Sequence, residues 1–167
     1  MRSLSLISLS GCNILLADMN VEKAMTDSLN LNGGCLCGEI QYRTIGPPLW
    51  VCHCHCRMCQ KHTGAAFSTF VGFMPEHISW AKRKPRLYQS STLVWRGFCP
   101  ECGSTISFHR THKSEVSISA GSLDNPESVT PDFHIMTESQ IPWLKLNDGL
   151  PAHHRFAPGG EDRDLDL

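Results

Sequence analysis

Alternating apolar and polar positions dominate the chain from residue 33 onward and predict a protein built mainly from short β-strands. Residues 39–45 alternate in this way until Gly46-Pro47-Pro48 interrupts the pattern. Residues 57–62 instead suit one or two helical turns, which Gly64 would end. The predicted fold class is therefore mainly β, largely antiparallel, with short helical turns. The other predicted strands are residues 49–51, 66–73, 77–80, 86–89, 93–98, 105–109, 115–120 and 133–137.

Three segments of different character define the expected domain organisation. Residues 29–158 are expected to form one β domain, because no internal repeat or linker interrupts them. Residues 1–28 show no period that continues into this domain, and their short serine-rich apolar stretch is weak as an export signal. We expect a disordered extension there, or a start assigned too early, with Met19 or Met25 as the true start. The Gly-rich, charged residues 159–167 are expected to be disordered.

Charge and hydropathy narrow the classes of partner. The formal net charge is −1, so the chain lacks the basic footprint that general nucleic-acid binding or an anionic membrane surface would favour. No apolar run approaches the ~18 residues of a membrane span. We therefore expect neither a nucleic-acid partner nor a membrane location.

The nine cysteines are the most informative feature of the composition. Eight of them fall in three tight groups, spaced C-x-C at 35–37, C-x-C-x-C-x-x-C at 52–59 and C-x-x-C at 99–102. Cysteines this close in sequence bridge one another poorly but converge well on a metal ion. The spacing therefore predicts metal binding rather than disulfides, and with it a reducing, cytoplasmic environment.

Two of the pairs together supply a complete set of four metal ligands. Cys35 and Cys37 would join Cys99 and Cys102, which lie far away in sequence. A glycine follows each pair directly, at 38 and 103, and would allow the tight turn such a site needs. Four thiolates around zinc make a closed, structural site.

The remaining group offers three thiols on one short segment: Cys54, Cys56 and Cys59. Cys52 either completes this group as a fourth ligand or is a small buried apolar residue. Strand alternation does not decide between these, since residues 52, 54 and 56 share a face of an ideal strand. His53 and His55 lie between the thiols, as ligands or as solvated or supporting histidines.

These residues, in their order and spacing, resemble the glutathione-dependent formaldehyde-activating enzymes, a group that also includes centromere protein V. The resemblance runs from about residue 32 to 146. The pieces that carry it are Gly34-Cys35-Leu36-Cys37-Gly38, Cys54-His55-Cys56-Arg57-Met58-Cys59-Gln60-Lys61, Gly64-Ala65, Phe98-Cys99-Pro100-Glu101-Cys102-Gly103-Ser104, Ala120-Gly121-Ser122-Leu123-Asp124, Phe133-His134-Ile135 and Pro142-Trp143-Leu144.

The resemblance implies a β-tent fold with two zinc ions. It implies a zinc-dependent carbon–sulfur lyase that interconverts S-hydroxymethylglutathione with glutathione and formaldehyde, a route of aldehyde detoxification with glutathione as co-substrate. Cys52 would not be a ligand. The structural zinc would be held by Cys35, Cys37, Cys99 and Cys102, and the functional zinc, at the catalytic centre, by Cys54, Cys56 and Cys59.

Other residues offer weaker candidates. His134 suits a general acid or base, or a histidine satisfied within the fold. Trp143 would wall a ligand pocket or pack in the core. Arg57 and Lys61 would hold a glutathione carboxylate or lie in solvent.

Two other functions compete with the lyase. The first is a non-catalytic zinc module for glutathione or for a protein or chromatin partner, although the chain lacks a long basic segment. The second is a thiol redox enzyme such as a methionine sulfoxide reductase. Such an enzyme needs a reactive cysteine late in the chain, and no cysteine follows Cys102.

Overall fold

The structure, a computed structural model, describes residues 30–159. The expectations for residues 1–28 and for all but the first residue of the 159–167 tail lie outside the described range. The mainly β prediction is confirmed, and each predicted strand corresponds to a strand of the structure. The strands are β1 (Asn32–Gly34), β2 (Gln41–Thr44), β3 (Trp50–Cys54), β4 (Ser68–Phe73), β5 (Ile78–Trp80), β6 (Arg86–Ser91), β7 (Val94–Phe98), β8 (Thr105–Arg110), β9 (Val116–Ser119) and β10 (Phe133–Ile135).

Helical structure among residues 30–159 is short, as the sequence predicts. The helix α1 (Arg57–Thr63) follows Cys56, and Gly64 ends it with a left-handed φ of 70°. Single 3-10 turns lie at Pro75–His77, Ala120–Ser122, Pro126–Ser128 and Thr137–Ser139. No helix in the described part of the chain is long and apolar enough to cross a membrane.

Two sheets make up the fold. A seven-stranded sheet has the order β10-β3-β4-β9-β8-β7-β6, and a three-stranded sheet has the order β1-β2-β5. Every pairing is antiparallel except that of β10 with β3, which is parallel. The predicted strand at 133–137 is shorter in the structure because Met136 takes a left-handed φ of 58°.

The main core contains side chains from both sheets. Tyr42 and Ile78 of the small sheet lie in the same buried cluster as Val71, Ile106 and Ile118 of the large sheet. Strand β1 lies directly against the 3-10 turn at Ala120–Ser122. A Cβ at Gly33 would lie 2.4 Å from the carbonyl oxygen of Ser122, so only glycine fits there.

A second, smaller apolar cluster lies on the opposite face of the large sheet. Strand alternation creates this division, since Val51 pairs with Val71 on one face and Cys52 pairs with Phe70 on the other. The second cluster contains Cys52, Cys54, Cys59, Phe70 and Met136. It is this face that carries the candidate functional site.

Candidate metal centres and the cavity beside them

The structure brings the seven predicted zinc ligands into two groups. We call Cys35, Cys37, Cys99 and Cys102 the four-cysteine cluster, and Cys54, Cys56 and Cys59 the three-cysteine cluster. Within each cluster all sulfur atoms lie within 4.8 Å of one another. Eight cysteines in the described residues are free, so no disulfide competes with metal binding there.

Tight turns shape the four-cysteine cluster. The amide of Gly38 donates to the carbonyl of Cys35 at 3.0 Å, and the amide of Gly103 donates to the carbonyl of Cys99 at 2.9 Å. Both glycines have a positive φ, 76° and 74°, which residues with a side chain rarely adopt. The tight turn predicted at the glycine after each cysteine pair is therefore present in the structure.

Hydrogen bonds from the surroundings support these sulfurs. The backbone amide of Ile40 donates to Cys35 Sγ at 3.2 Å, and the Ser104 hydroxyl lies 3.2 Å from Cys102 Sγ. The Ser104 hydroxyl is the main reason that the pKa of Cys102 falls to about 5. Four thiols that include such a stabilised thiolate suit a closed tetrahedral metal site.

The three-cysteine cluster is built by the end of β3 and the start of α1. Cys54 is the last residue of β3, and Cys56 is the residue that caps α1. The amide of Cys59 donates to Cys56 Sγ at 3.3 Å, so one sulfur serves both the helix cap and the cluster. The hydrogen bond from Cys54 is the largest of the effects that lower the pKa of Cys56 to about 3. The three donors are soft thiols of the kind that zinc prefers.

Cys52 lies beside the three-cysteine cluster but outside it. It is 2% exposed, and its sulfur does not belong to the group of sulfurs within 4.8 Å. Burial raises the pKa of its thiol to about 12. Cys52 therefore has the surroundings of a small buried apolar residue, rather than those of a fourth ligand. Strand alternation alone did not decide between these two roles.

A cavity of about 350 Å³ opens over the three-cysteine cluster. All three cysteines line it, and most of the remaining wall is apolar. Charged residues in the lining include Arg110, Lys113 and Glu115, and Arg110 pairs with Glu115 at 3.6 Å. The apolar wall includes Trp50, Phe70, Phe108, Phe133, Met136 and Phe156.

Arg96 of β7 lies in the same wall and is 2% exposed. Its Nη1 lies 3.7 Å from Cys59 Sγ, and its guanidinium carbon lies 5.1 Å from the centre of the Phe108 ring. Arg96 is not among the candidate residues predicted from the sequence. The sequence does contain a signal for it. Arg96 and Val94 alternate onto the same buried face of β7, and a charged residue is unexpected on a buried face.

The histidines of this region lie on the other face of β3. His134 of β10 stands beside His53 in register, and its ring stacks on that of His55 with centroids 5.2 Å apart. Burial is the main cause that lowers the pKa of His55 to about 4. Among residues 30–159 neither His53 nor His55 belongs to a metal-ligand group. His134 is 5% exposed and does not line the cavity, so its surroundings are those of a histidine satisfied within the fold.

The remaining sequence candidates lie away from the cavity. Trp143 is 72% exposed, so it neither walls the cavity nor packs in the core. It follows Pro142 in an irregular segment, where the strand alternation that would indicate burial is absent. Arg57 and Lys61 are exposed on α1 and do not line the cavity. The Arg57 guanidinium donates a hydrogen bond to Gln60 Oε1.

Comparison with known proteins shows which family this chain resembles. The family model for "Glutathione-dependent formaldehyde-activating enzyme" matches residues 30–139. An uncharacterized lyase of Schizosaccharomyces pombe is 28% identical over 109 residues, covering 65% of this chain and 79% of that protein. A Halomonas elongata protein, provisionally named a glutathione-dependent formaldehyde-activating enzyme, is 26% identical over 133 residues, covering 70% and 80%. A crystal structure of a Rhodobacter sphaeroides protein aligns with a TM-score of 0.47 at 16% identity, covering 73% of this chain and 98% of that one.

Proposed function

Because the chain belongs to the glutathione-dependent formaldehyde-activating enzyme family, we propose that it is a zinc-dependent carbon–sulfur lyase. The proposed reaction interconverts S-hydroxymethylglutathione with glutathione and formaldehyde, and serves aldehyde detoxification. One observation carries the proposal: the three-cysteine cluster, one ligand short of a closed zinc site, lines a cavity large enough to admit a thiol.

The chemistry of the donor sets fits two zinc ions per chain. The four-cysteine cluster would hold a closed structural zinc, and the three-cysteine cluster would hold the functional one. A zinc ion with three protein ligands keeps a position for a thiol or water and lowers the pKa of that group. Sites of this kind need reduced cysteines, so the proposal includes a cytoplasmic location.

The residues around the cluster support the binding of a thiol compound. The aromatic wall would exclude water from the reacting sulfur and carbon, which strengthens electrostatic interactions inside the cavity. Buried Arg96 contributes a positive charge beside the thiolates of the cluster. Arg110 and Lys113, in the same lining, are better placed for the carboxylates of glutathione than the exposed Arg57 and Lys61.

Two-dimensional exchange NMR on an equilibrium mixture of formaldehyde and glutathione tests the proposal. The zinc-loaded protein should speed the exchange between free glutathione and its hydroxymethyl adduct. Cys56→Ser should abolish this acceleration, whereas the matched variant Cys52→Ala, outside the cluster, should keep it. An unchanged exchange rate with both zinc ions bound would contradict the lyase and favour a glutathione carrier or a partner-binding module.

A further inference from the structure

Arg96 has one hydrogen-bonding nitrogen that the described residues leave without a partner. Its Nη2 is buried and donates to no acceptor among residues 30–159, while its Nε donates to Ser90 Oγ at 3.0 Å. A buried N–H of a charged group without an acceptor costs folding free energy. Arg96 is nevertheless the largest of the fully buried side chains among residues 30–159. The cost is offset if a ligand supplies the missing acceptor.

The surroundings hold this nitrogen in a fixed position. Ser90 binds Nε from the neighbouring strand β6, the Phe108 ring lies against the guanidinium, and Nη1 lies 3.7 Å from Cys59 Sγ. Because the guanidinium is planar and rigid, these contacts also fix Nη2. A donor held in advance of ligand binding stabilises charge without the cost of reorganisation.

The position of Arg96 limits which ligand atom can be the acceptor. The guanidinium touches the three-cysteine cluster itself, so its partner must lie close to a ligand sulfur that approaches the cluster. In glutathione both carboxylates are many bonds from the sulfur. In a hemithioacetal, the adduct of a thiol and an aldehyde, the oxygen is only two bonds away from the sulfur.

We propose that Arg96 Nη2 donates a hydrogen bond to the hydroxyl oxygen of the hemithioacetal, the oxygen that becomes the carbonyl oxygen of the released aldehyde. This inference rests on the proposed function and adds a residue to its catalytic site. It also assigns a specificity: the site distinguishes a hydroxyalkyl thioether from a plain alkyl thioether.

The bond changes of the reaction explain why a cationic donor suits this place. In adduct breakdown the carbon–sulfur bond breaks and its electron pair stays on sulfur. The hydroxyl oxygen loses its proton and forms the carbonyl double bond, and sulfur gains one proton as the free thiol. The oxygen carries negative charge as its proton leaves, and a fixed guanidinium N–H stabilises that charge.

Binding measurements test the proposal independently of catalysis. The zinc-loaded wild type is titrated with S-ethylglutathione, and with glutathione at saturating formaldehyde to give the hydroxymethyl adduct. The two ligands have nearly equal size, and S-ethylglutathione has a methyl group where the adduct has its hydroxyl group. A hydrogen bond to a charged donor should make the wild type bind the hydroxymethyl adduct about tenfold more tightly, or more. The S-ethylglutathione titration is repeated with the same formaldehyde concentration present.

Arg96→Met should remove this preference, so that the affinities for the two ligands differ by less than about twofold. Arg96→Lys should lose the preference as well, because the shorter lysine keeps the charge but does not reproduce Nη2. The matched control is Arg43→Met, which removes an exposed arginine of β2. Bound zinc and melting temperature are measured for every variant. If Arg96→Met does not fold, the 15N resonances of Arg96 in the wild type should shift with the hydroxymethyl adduct and not with S-ethylglutathione.

The outcomes separate this inference from the proposed function. Equal wild-type affinity for the two ligands would overturn the role of Arg96 and leave glutathione binding intact. Full preference in Arg96→Lys would show that charge alone is enough and would overturn the assignment to Nη2. Binding of neither ligand by the wild type would overturn the proposed function and this inference together.

Discussion

His134 Nδ1 lies 2.9 Å from His55 Nε2, on the face of β3 that turns away from the cysteine cavity. On its other side His134 Nε2 lies 3.0 Å from Asp148 Oδ2. An ionised carboxylate only accepts hydrogen bonds, so His134 Nε2 carries a proton, and in the neutral ring Nδ1 then accepts from His55. His55 Nδ1 is then the acceptor, and it is buried with no partner in the described residues. One exposed carboxylate thus fixes the tautomers of two buried histidines.

Asp148→Asn should lower the melting temperature at pH 7. The amide is uncharged, and its NH2 group can donate to His134 Nε2, which disturbs the chain of hydrogen bonds from His55 through His134 to residue 148. A hydrogen bond from the backbone amide of Leu150 and another from the His134 side chain lower the pKa of Asp148. A lowered folded-state pKa contributes stability above the unfolded-state pKa and loses it as pH falls through the folded-state value. The difference from wild type should therefore persist down to pH 5 and shrink only below about pH 4.

Melting curves of both proteins at several pH values check this prediction. The control is Glu76→Gln, which removes the charge of an exposed carboxylate in the turn before β5. This variant should melt like the wild type. A difference that already shrinks between pH 7 and pH 5 would contradict the link to the Asp148 carboxylate.

The two cysteine clusters should respond differently to loss of a ligand. Cys99→Ser should prevent folding, because apparent zinc-binding energies of ~10 kcal/mol are coupled to folding in closed structural sites. Cys56→Ser should keep the fold and lose thiol binding, since the three-cysteine cluster lies at a cavity wall. Circular dichroism with a bound-zinc assay gives the answer. If both variants melt at the same temperature, the division into structural and functional sites is wrong.

Cys52→Ala should leave the zinc content at the wild-type value and cost about 1–2 kcal/mol through lost packing. Cys52 is 2% exposed and packs with Phe70, outside both clusters. Cys54→Ala, two residues along the same strand face, should lose one zinc ion per chain. Metal analysis of the two purified variants checks the pair, and loss of zinc from Cys52→Ala would make Cys52 a fourth ligand.

Gly72→Ala should destabilise the protein by about 1–3 kcal/mol through overpacking. A Cβ at Gly72 would lie 2.5 Å from Trp50 Cε2 across the β3–β4 pair, and the Trp50 ring also lines the cavity. The change should therefore weaken glutathione binding as well. Gly121→Ala is the control, since a Cβ there meets nothing within 4 Å. Urea unfolding of both variants tests the prediction, and equal stabilities would contradict the close packing of Trp50.

Features set by neighbouring residues were predictable from the sequence. Cysteine spacing identified both clusters, and Gly64 marked the end of α1 because a left-handed residue commonly closes a helix. The parallel pairing of β10 with β3 was not predictable, because it depends on where a long connection returns the chain. The exclusion of Cys52 from the cluster depends on distances that strand alternation does not contain.

Arg96 shows a different limit. Its inward position follows from the alternation of β7, but its approach to Cys59 depends on how β7 lies relative to α1. No local pattern encodes a contact between residues so far apart in sequence. The same holds for Asp148, which reaches His134 from an irregular segment.

The four-cysteine cluster also sets an order on the folding of the protein during synthesis. Cys35 and Cys37 emerge from the ribosome well before Cys99 and Cys102, with strands β2 to β7 between them. The cluster therefore cannot assemble until four of the seven strands of the large sheet have been translated, and until then the early pair lacks its two partners. If the cluster binds zinc as we propose, the supply of zinc and reductant around the nascent chain becomes part of how this fold is reached.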